Sequence, residues 1–111
     1  RLRDALVSLL AIDAICREAG LRLAVETPLP HLLGGRPDEL KWLIDRLPPG
    51  VGICLDTGHT HLGGQLEAMA AAACGRIEHV HLHDNRGTGD DHLPPGAGTI
   101  DWGSALDALR R

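Results

Sequence analysis

The chain contains no phenylalanine and no tyrosine, and aromatic residues make up only 2% of it. Any core must therefore be aliphatic, and the interleaved aromatic and basic residues of a single-stranded nucleic-acid groove are missing. Long apolar runs are also absent. The most apolar stretch, Leu2 to Ile15, is broken by Arg3, Asp4 and Asp13, well short of the roughly 18 to 20 uninterrupted residues of a membrane span. Cysteine is sparse: Cys16, Cys54 and Cys74 lie far apart in apolar segments. Three thiols without close pairs exclude both a disulfide framework and a cysteine-type zinc site. They are expected to be buried and reduced, which favours a cytoplasmic location. Positive charge is in deficit as well, and a net charge of −4 supplies no electrostatic footprint for nucleic acid.

What the chain does have is histidine. Of 7 histidines, all but His31 fall between His59 and His92, a concentration of the commonest metal-ligating side chain. The remaining composition, 43% hydrophobic and 23% charged, is that of an ordinary globular domain. A length of 111 residues allows one domain, spanning 1–111.

Leu2, Leu6, Leu9, Ile12, Cys16 and Ala19 recur at helical spacing and Gly20 supplies a stop, which predicts an N-terminal helix. Leu21 to Val25 reads as a strand ending at Glu26, closed off by Pro28 and Pro30. Pro37 with Asp38 and Glu39 opens a second helix, with Leu40, Leu43, Ile44 and Leu47 as its apolar stripe. Val51 to Leu55 predicts a second strand ending at Asp56, Thr57 to Gly64 a Gly-rich loop, and Gln65 to Cys74 a third helix. Ile77 to Leu82 predicts a third strand, a long loop runs from Asn85 to Gly98, and a last helix begins near Gly103. Short apolar strands alternating with helices indicate an α/β fold of parallel βαβ units, with strands covered on both faces. Three such strands make an unfinished sheet. The expectation is a segment of a larger barrel, of about strands five to seven with flanking helices.

Each strand ends in a residue that can bind a cation: Glu26, Asp56, His81. Parallel α/β folds gather their sites at the carboxyl ends of strands, where loops from every βα unit meet. Asp56-Thr57-Gly58-His59 adds an imidazole three residues after a carboxylate, and Asp90-Asp91-His92 a second such pair in the long loop. Donors of nitrogen and oxygen without thiolate suit Zn²⁺, Mn²⁺, Mg²⁺ or Co²⁺.

Structural readings compete with these. Glu26 can pair with Arg22 or Arg36. Asp56 can form an Asx-turn against which His59 merely packs. His79, His81 and His83 share one strand face; of these His81 is assigned as ligand, His79 as a packed interior residue and His83 as a rim residue. His31 and His61 are assigned to solvent. Asp84 either orients a histidine or starts the turn with Asn85, and Trp102 serves packing.

The segments Leu23-Ala24-Val25-Glu26, Val51-Gly52-Ile53-Cys54-Leu55-Asp56-Thr57-Gly58-His59 and His79-Val80-His81-Leu82-His83-Asp84-Asn85 resemble the xylose isomerase-like TIM barrels. So does the stretch from Asp90-Asp91-His92-Leu93-Pro94-Pro95-Gly96-Ala97-Gly98 to Ile100-Asp101-Trp102. This superfamily includes sugar-phosphate isomerases and epimerases and the endonuclease IV group. The resemblance places Glu26, Asp56 and His81 on barrel strands five, six and seven as metal ligands. It makes His59 a histidine facing substrate or a second metal, and Asp90 and His92 an Asp-x-His pair that holds another metal in the endonuclease branch. The family's first ligands would precede Arg1 and its last, a Glu on strand eight, would follow Arg111, so half of the site is expected here.

The function implied is a divalent-metal-dependent isomerase or epimerase of a small-molecule sugar or sugar phosphate, working by proton transfer through an enediolate. Glu26 would serve as ligand and general base, and His59 and Arg86 would contact substrate. Neither nucleic acid nor membrane is expected as partner. Two other readings stay open. One is a metal-dependent phosphodiesterase acting on abasic DNA through a multi-metal cluster. The other is an inactive barrel fragment that self-associates through open sheet edges.

Overall fold

A computed structural model describes residues 1–111. The element order is helix α1 (Leu2–Glu18), strand β1 (Ala24–Glu26), α2 (Pro37–Ile44), β2 (Gly52–Asp56), α3 (Thr57–Leu62), α4 (Leu66–Ala72), β3 (Ile77–His81) and α5 (Trp102–Leu109). The strands form one parallel sheet in the order β1-β2-β3. This is the α/β arrangement of a partial barrel that the alternation of strand and helix signals predicts.

The helix ends follow local chemistry. α1 stops before Gly20, whose φ of +71° lies in the left-handed region where glycine is favoured. α2 starts with Pro37 in its first turn, where the missing N–H costs nothing, and Asp38 and Glu39 face the positive end of its dipole. Thr57 to Leu62 corrects the expectation of a loop. Asp56 caps this short helix, its side chain accepting a hydrogen bond from His59 N–H at 2.8 Å. Thr60 Oγ1 donates back to the Asp56 carbonyl at 2.9 Å. A strand-end carboxylate thus acts as a helix N-cap; of the three glycines read as loop signals, Gly58 falls inside the short helix and Gly63 and Gly64 follow it.

The sheet has two unlike faces, only one of which is covered by helices of this chain. Cα pairing aligns Glu26 with Cys54, Cys54 with His79 and Asp56 with His81, so these side chains share one face. The opposite face is apolar. Ile53, 1% exposed, packs with Leu40 and Ile44 of α2, Met69 of α4 and Ala73, flanked by Val25 and Ile77. A second cluster of Leu43, Leu47 and Val51 receives Leu2, Leu6 and Leu9 of α1. The ionisable face carries no helix, and β3 is correspondingly half open, with Glu78, His79 and His81 exposed. The small residues Ala24, Gly52 and Cys54 hide this alternation, making the strands read as continuously apolar. Of the three thiols only Cys54 is buried; Cys16 is half-buried and Cys74 exposed.

The long loop after β3 is tied down by one carboxylate. Asp84 is fully buried and accepts from the N–H groups of Asn85 (2.8 Å), Gly96 (3.0 Å) and Ile100 (3.2 Å) and from Trp102 Nε1–H (2.9 Å). Asp84 and Leu93 also exchange backbone hydrogen bonds as an isolated antiparallel bridge. A Cβ on Gly98 would come within 2.3 Å of both the Asn85 carbonyl and Asp84 Oδ1, so the loop closes only over glycine. Asp84 therefore starts the turn and anchors the loop; it does not orient a histidine. Burial pushes its carboxyl up, but the Trp102 ring N–H and the backbone N–H groups of Ile100, Gly96 and Asn85 outweigh that and hold it at about 2.

Two outcomes follow. Ile53→Ala should cost about 2 to 5 kcal/mol in urea unfolding, through lost burial and the cavity left behind. Asp84→Ala should cost about 3 kcal/mol or more, because several buried donors lose their acceptor. The Asp84 carboxyl is depressed in the folded state, so its contribution is present above the ordinary value of 3.8 and is lost as the pH falls toward 2. Asp84→Asn should therefore lose stability less steeply than the parent over that window, measured by chemical unfolding at stepped pH.

Candidate metal centre

The carboxyl ends of β1, β2 and β3 bring Glu26, Asp56 and His81 to one rim of the sheet. His81 Nδ1 lies 3.0 Å from Glu26 Oε1 and 3.8 Å from Asp56 Oδ2. Arg22 pairs with Glu78 and Arg36 with Asp38, so neither competing partner reaches Glu26. One donor atom from each of Glu26, Asp56 and His81 falls within a 4.8 Å cluster, the spacing of ligands around a shared ion. The three strand-end residues thus meet, as their positions predict.

His59 joins them from the first turn of α3. Its Nδ1–H donates to the Thr27 carbonyl at 2.9 Å. This hydrogen bond places a proton on Nδ1, and Nε2 lies 3.5 Å from Asp90 Oδ2. Thr27 is fully buried, and its Oγ1 accepts from Asp56 N–H at 2.9 Å. The turn after β1 therefore fixes both the Asp56 backbone and the His59 ring. Asp56 thus caps the helix as the Asx-type reading expects, while the His59 ring turns inward against the Thr27 carbonyl.

The loop delivers the remaining pair. His92 Nε2 lies 3.1 Å from Asp90 Oδ2, and His92 has φ +54°, a left-handed conformation that costs a non-glycine residue energy and concentrates at functional sites. Asp90 faces His59 on one side and His92 on the other, so the two sequence pairs form one continuous cluster with the strand ends. Arg86 is exposed and has no carboxylate partner.

Three histidines depart from expectation. His79, read as packed, is exposed on the open face of β3. His61, assigned to solvent, is half-buried with Nε2 2.7 Å from Thr99 Oγ1. His83, read as a rim residue, is 8% exposed. β3 ends at His81, which frees His83 from the strand alternation and turns its ring under the site. There Nε2 lies 2.7 Å from Asp56 Oδ1 and Nδ1 4.0 Å from Asp90 Oδ1. Its place beside Asp84 and Asn85, both fully buried, is the sequence signal that periodicity alone passes over.

Asp56 is the hub. Burial raises its carboxyl, but the His59 N–H and the His83 ring, with the charges of both histidines, hold it below the ordinary carboxylate value. Cys54, one layer down, goes the other way: burial and the negative charges of Glu26 and Asp56 push its thiol up. Cys54 thus stays protonated and leaves the rim to nitrogen and oxygen donors. Neither ring nitrogen of buried His83 has a well-aligned hydrogen-bond partner, a polar deficit of the kind a nearby cation relieves. Donor type, spacing and this deficit all fit a hard or borderline divalent ion.

The model of the family described as xylose isomerase-like TIM barrel matches residues 2–111. A protein of Sinorhizobium fredii, y4fM, is 33% identical over 105 residues, 88% of this chain and 32% of that one. A protein of Methanocaldococcus jannaschii, MJ1614, is 30% identical over 112 residues, 99% of this chain and 43% of that one. A probable endonuclease 4 of Mycobacterium tuberculosis is 36% identical over 102 residues, 77% of this chain and 40% of that one. A crystal structure of a D-tagatose 3-epimerase-like protein superposes with a TM-score of 0.85 at 28% identity, over 98% of this chain and 43% of that one. The chain thus spans roughly a third to two-fifths of the length of these relatives. No helix is long and apolar enough to cross a membrane. The chain belongs to the xylose isomerase-like TIM barrel family.

Proposed function

We propose that the protein containing this chain is a divalent-metal-dependent isomerase or epimerase acting on a sugar or sugar phosphate. The observation that carries this reading is the convergence of Glu26 Oε1, Asp56 Oδ2 and His81 Nδ1 from three adjacent strand ends. Its structural likeness to the D-tagatose 3-epimerase-like protein supports it. Glu26, Asp56 and His81 would hold the ion, whether Zn²⁺, Mn²⁺, Mg²⁺ or Co²⁺. When bound, the ion supplies a positive charge that stabilises an enediolate oxyanion.

The chain's own residues account for the rest. Glu26 is partly exposed at the rim, where a carboxylate oxygen can take the proton next to a substrate carbonyl and return it to the neighbouring carbon. His59 turns Nε2 toward the rim, where it can hydrogen-bond a substrate oxygen, and the Thr27 carbonyl holds the ring in that orientation. Asp56 keeps its negative charge because its hydrogen bonds outweigh its burial. Arg86, exposed and unpaired in the loop after β3, offers a fork of donors to a phosphate or hydroxyl.

A second reading is a phosphodiesterase acting on abasic DNA. It draws on the placement of Asp90 between His59 and His92 and on the likeness to probable endonuclease 4. The net charge of −4 and the lack of a basic, aromatic-lined surface count against it.

Metal stoichiometry of the full-length protein separates the two. One ion per chain, with exchange of a substrate C–H for solvent deuterium in a ketose panel, is expected. Asp56→Asn should lower that exchange by roughly 100-fold or more, since it removes a ligand and an even greater loss than that of an outer-shell partner is expected. Two or three ions per chain, with cleavage of abasic DNA and no exchange, would overturn the isomerase reading.

A further inference from the structure

We propose that His83 is the positioning residue of the metal centre, fixing Asp56 so that one carboxylate oxygen is committed to the fold and the other is presented to the ion. This role rests on the metal reading above and concerns a residue to which neither the strand-end pattern nor the Asp-x-His pair assigns a part.

The two oxygens of Asp56 have separate surroundings. Oδ1 accepts from His59 N–H at 2.8 Å and has His83 Nε2 at 2.7 Å. Oδ2 faces the other way, 3.8 Å from His81 Nδ1 and 3.7 Å from His59 Nδ1. A carboxylate hydrogen-bonded at one oxygen to the His59 N–H and packed there against the His83 ring is restrained from swinging about its terminal bond, so Oδ2 stays aimed at His81 and Glu26. Partners that orient a ligand in this way typically contribute 10- to 100-fold in metal affinity.

The ring is itself built into place. Thr57 Oγ1 lies 2.8 Å from the His83 carbonyl and 3.1 Å from its N–H. Asn85 Nδ2–H donates to the Gly58 carbonyl at 2.9 Å. These bonds lay the segment after β3 across the first turn of α3, with the His83 ring directly over Gly58. A Cβ at position 58 would stand 2.1 Å from His83 Cε1 and 2.4 Å from Nδ1, so glycine is required there to admit the ring. On its other face the ring stacks on His92, with centroids 4.1 Å apart and planes within 4°. The imidazole thereby fills the gap between the strand-end ligands and the loop that carries Asp90.

The test is a Co²⁺ titration of the full-length protein and its variants, read by the visible absorption of the bound ion and by competition with a chelator. His83→Leu should weaken the tightest Co²⁺ site by about 10- to 100-fold and change the shape of its absorption band, while Glu26, Asp56 and His81 are all retained. His83→Gln, whose amide can reach Asp56 Oδ1 in place of the ring nitrogen, should recover most of the affinity. Gly58→Ala, which displaces the ring and removes no donor, should resemble His83→Leu. The thermal midpoints of the metal-free proteins separate loss of folding from loss of affinity: matched midpoints with unequal affinities support the role. Equal affinity and band shape in parent and His83→Leu would overturn it, as would His83→Gln binding no better than His83→Leu. A parent that takes up no Co²⁺ would overturn the metal reading itself and this role with it.

Discussion

The carboxylate of Asp56 is the point on which sheet, helix and site all depend. It ends the central strand β2, caps α3, and faces His81 and Glu26. Nearly buried, it would ordinarily prefer to be neutral. The backbone N–H of His59 and the ring of His83 reverse that preference and hold a negative charge at the carboxyl end of the sheet. A buried charge kept in this way still attracts a cation, and the other donors at the rim are arranged around it.

That arrangement follows from the division of the sheet into two faces. Aliphatic packing of Ile53, Met69, Leu40 and Ile44 holds the strands from one side, and this is the side that resists unfolding. With no phenylalanine or tyrosine to fill space, the layer is thin and relies on small residues such as Ala70 and Ala73 for close approach. The opposite face is left to Glu26, Cys54, Asp56, His79 and His81. Stability and chemistry therefore draw on different atoms of the same three strands, the arrangement that lets parallel barrels vary their sites on a constant frame.

The loop after β3 shows how the second carboxylate pair is brought in. Asp84 binds three backbone N–H groups and the Trp102 ring, so that the span to Ile100 closes on itself beside the rim. Asp90 and His92 ride on this loop, and the left-handed φ of His92 turns its ring onto His83. Loop and strand ends are thus joined through histidine rings as well as through the backbone.

Strand ends, helix stripes and the pairing of Asp56 with His59 were legible in the sequence because each is a local, periodic or short-range feature. Leu40, Leu43, Ile44 and Leu47 are buried as their spacing requires, and Glu26, Asp56 and His81 fall where three apolar runs stop. Only tertiary structure decided which histidines turn inward. His79 and His83 stand on opposite sides of His81 at equal spacing, yet one is exposed and the other buried. Alternation holds only while the backbone stays extended, and β3 ends at His81. Beyond it, the orientation of His83 is set by Thr57, Gly58 and Asn85, contacts between segments some 25 residues apart in sequence, which no local pattern encodes.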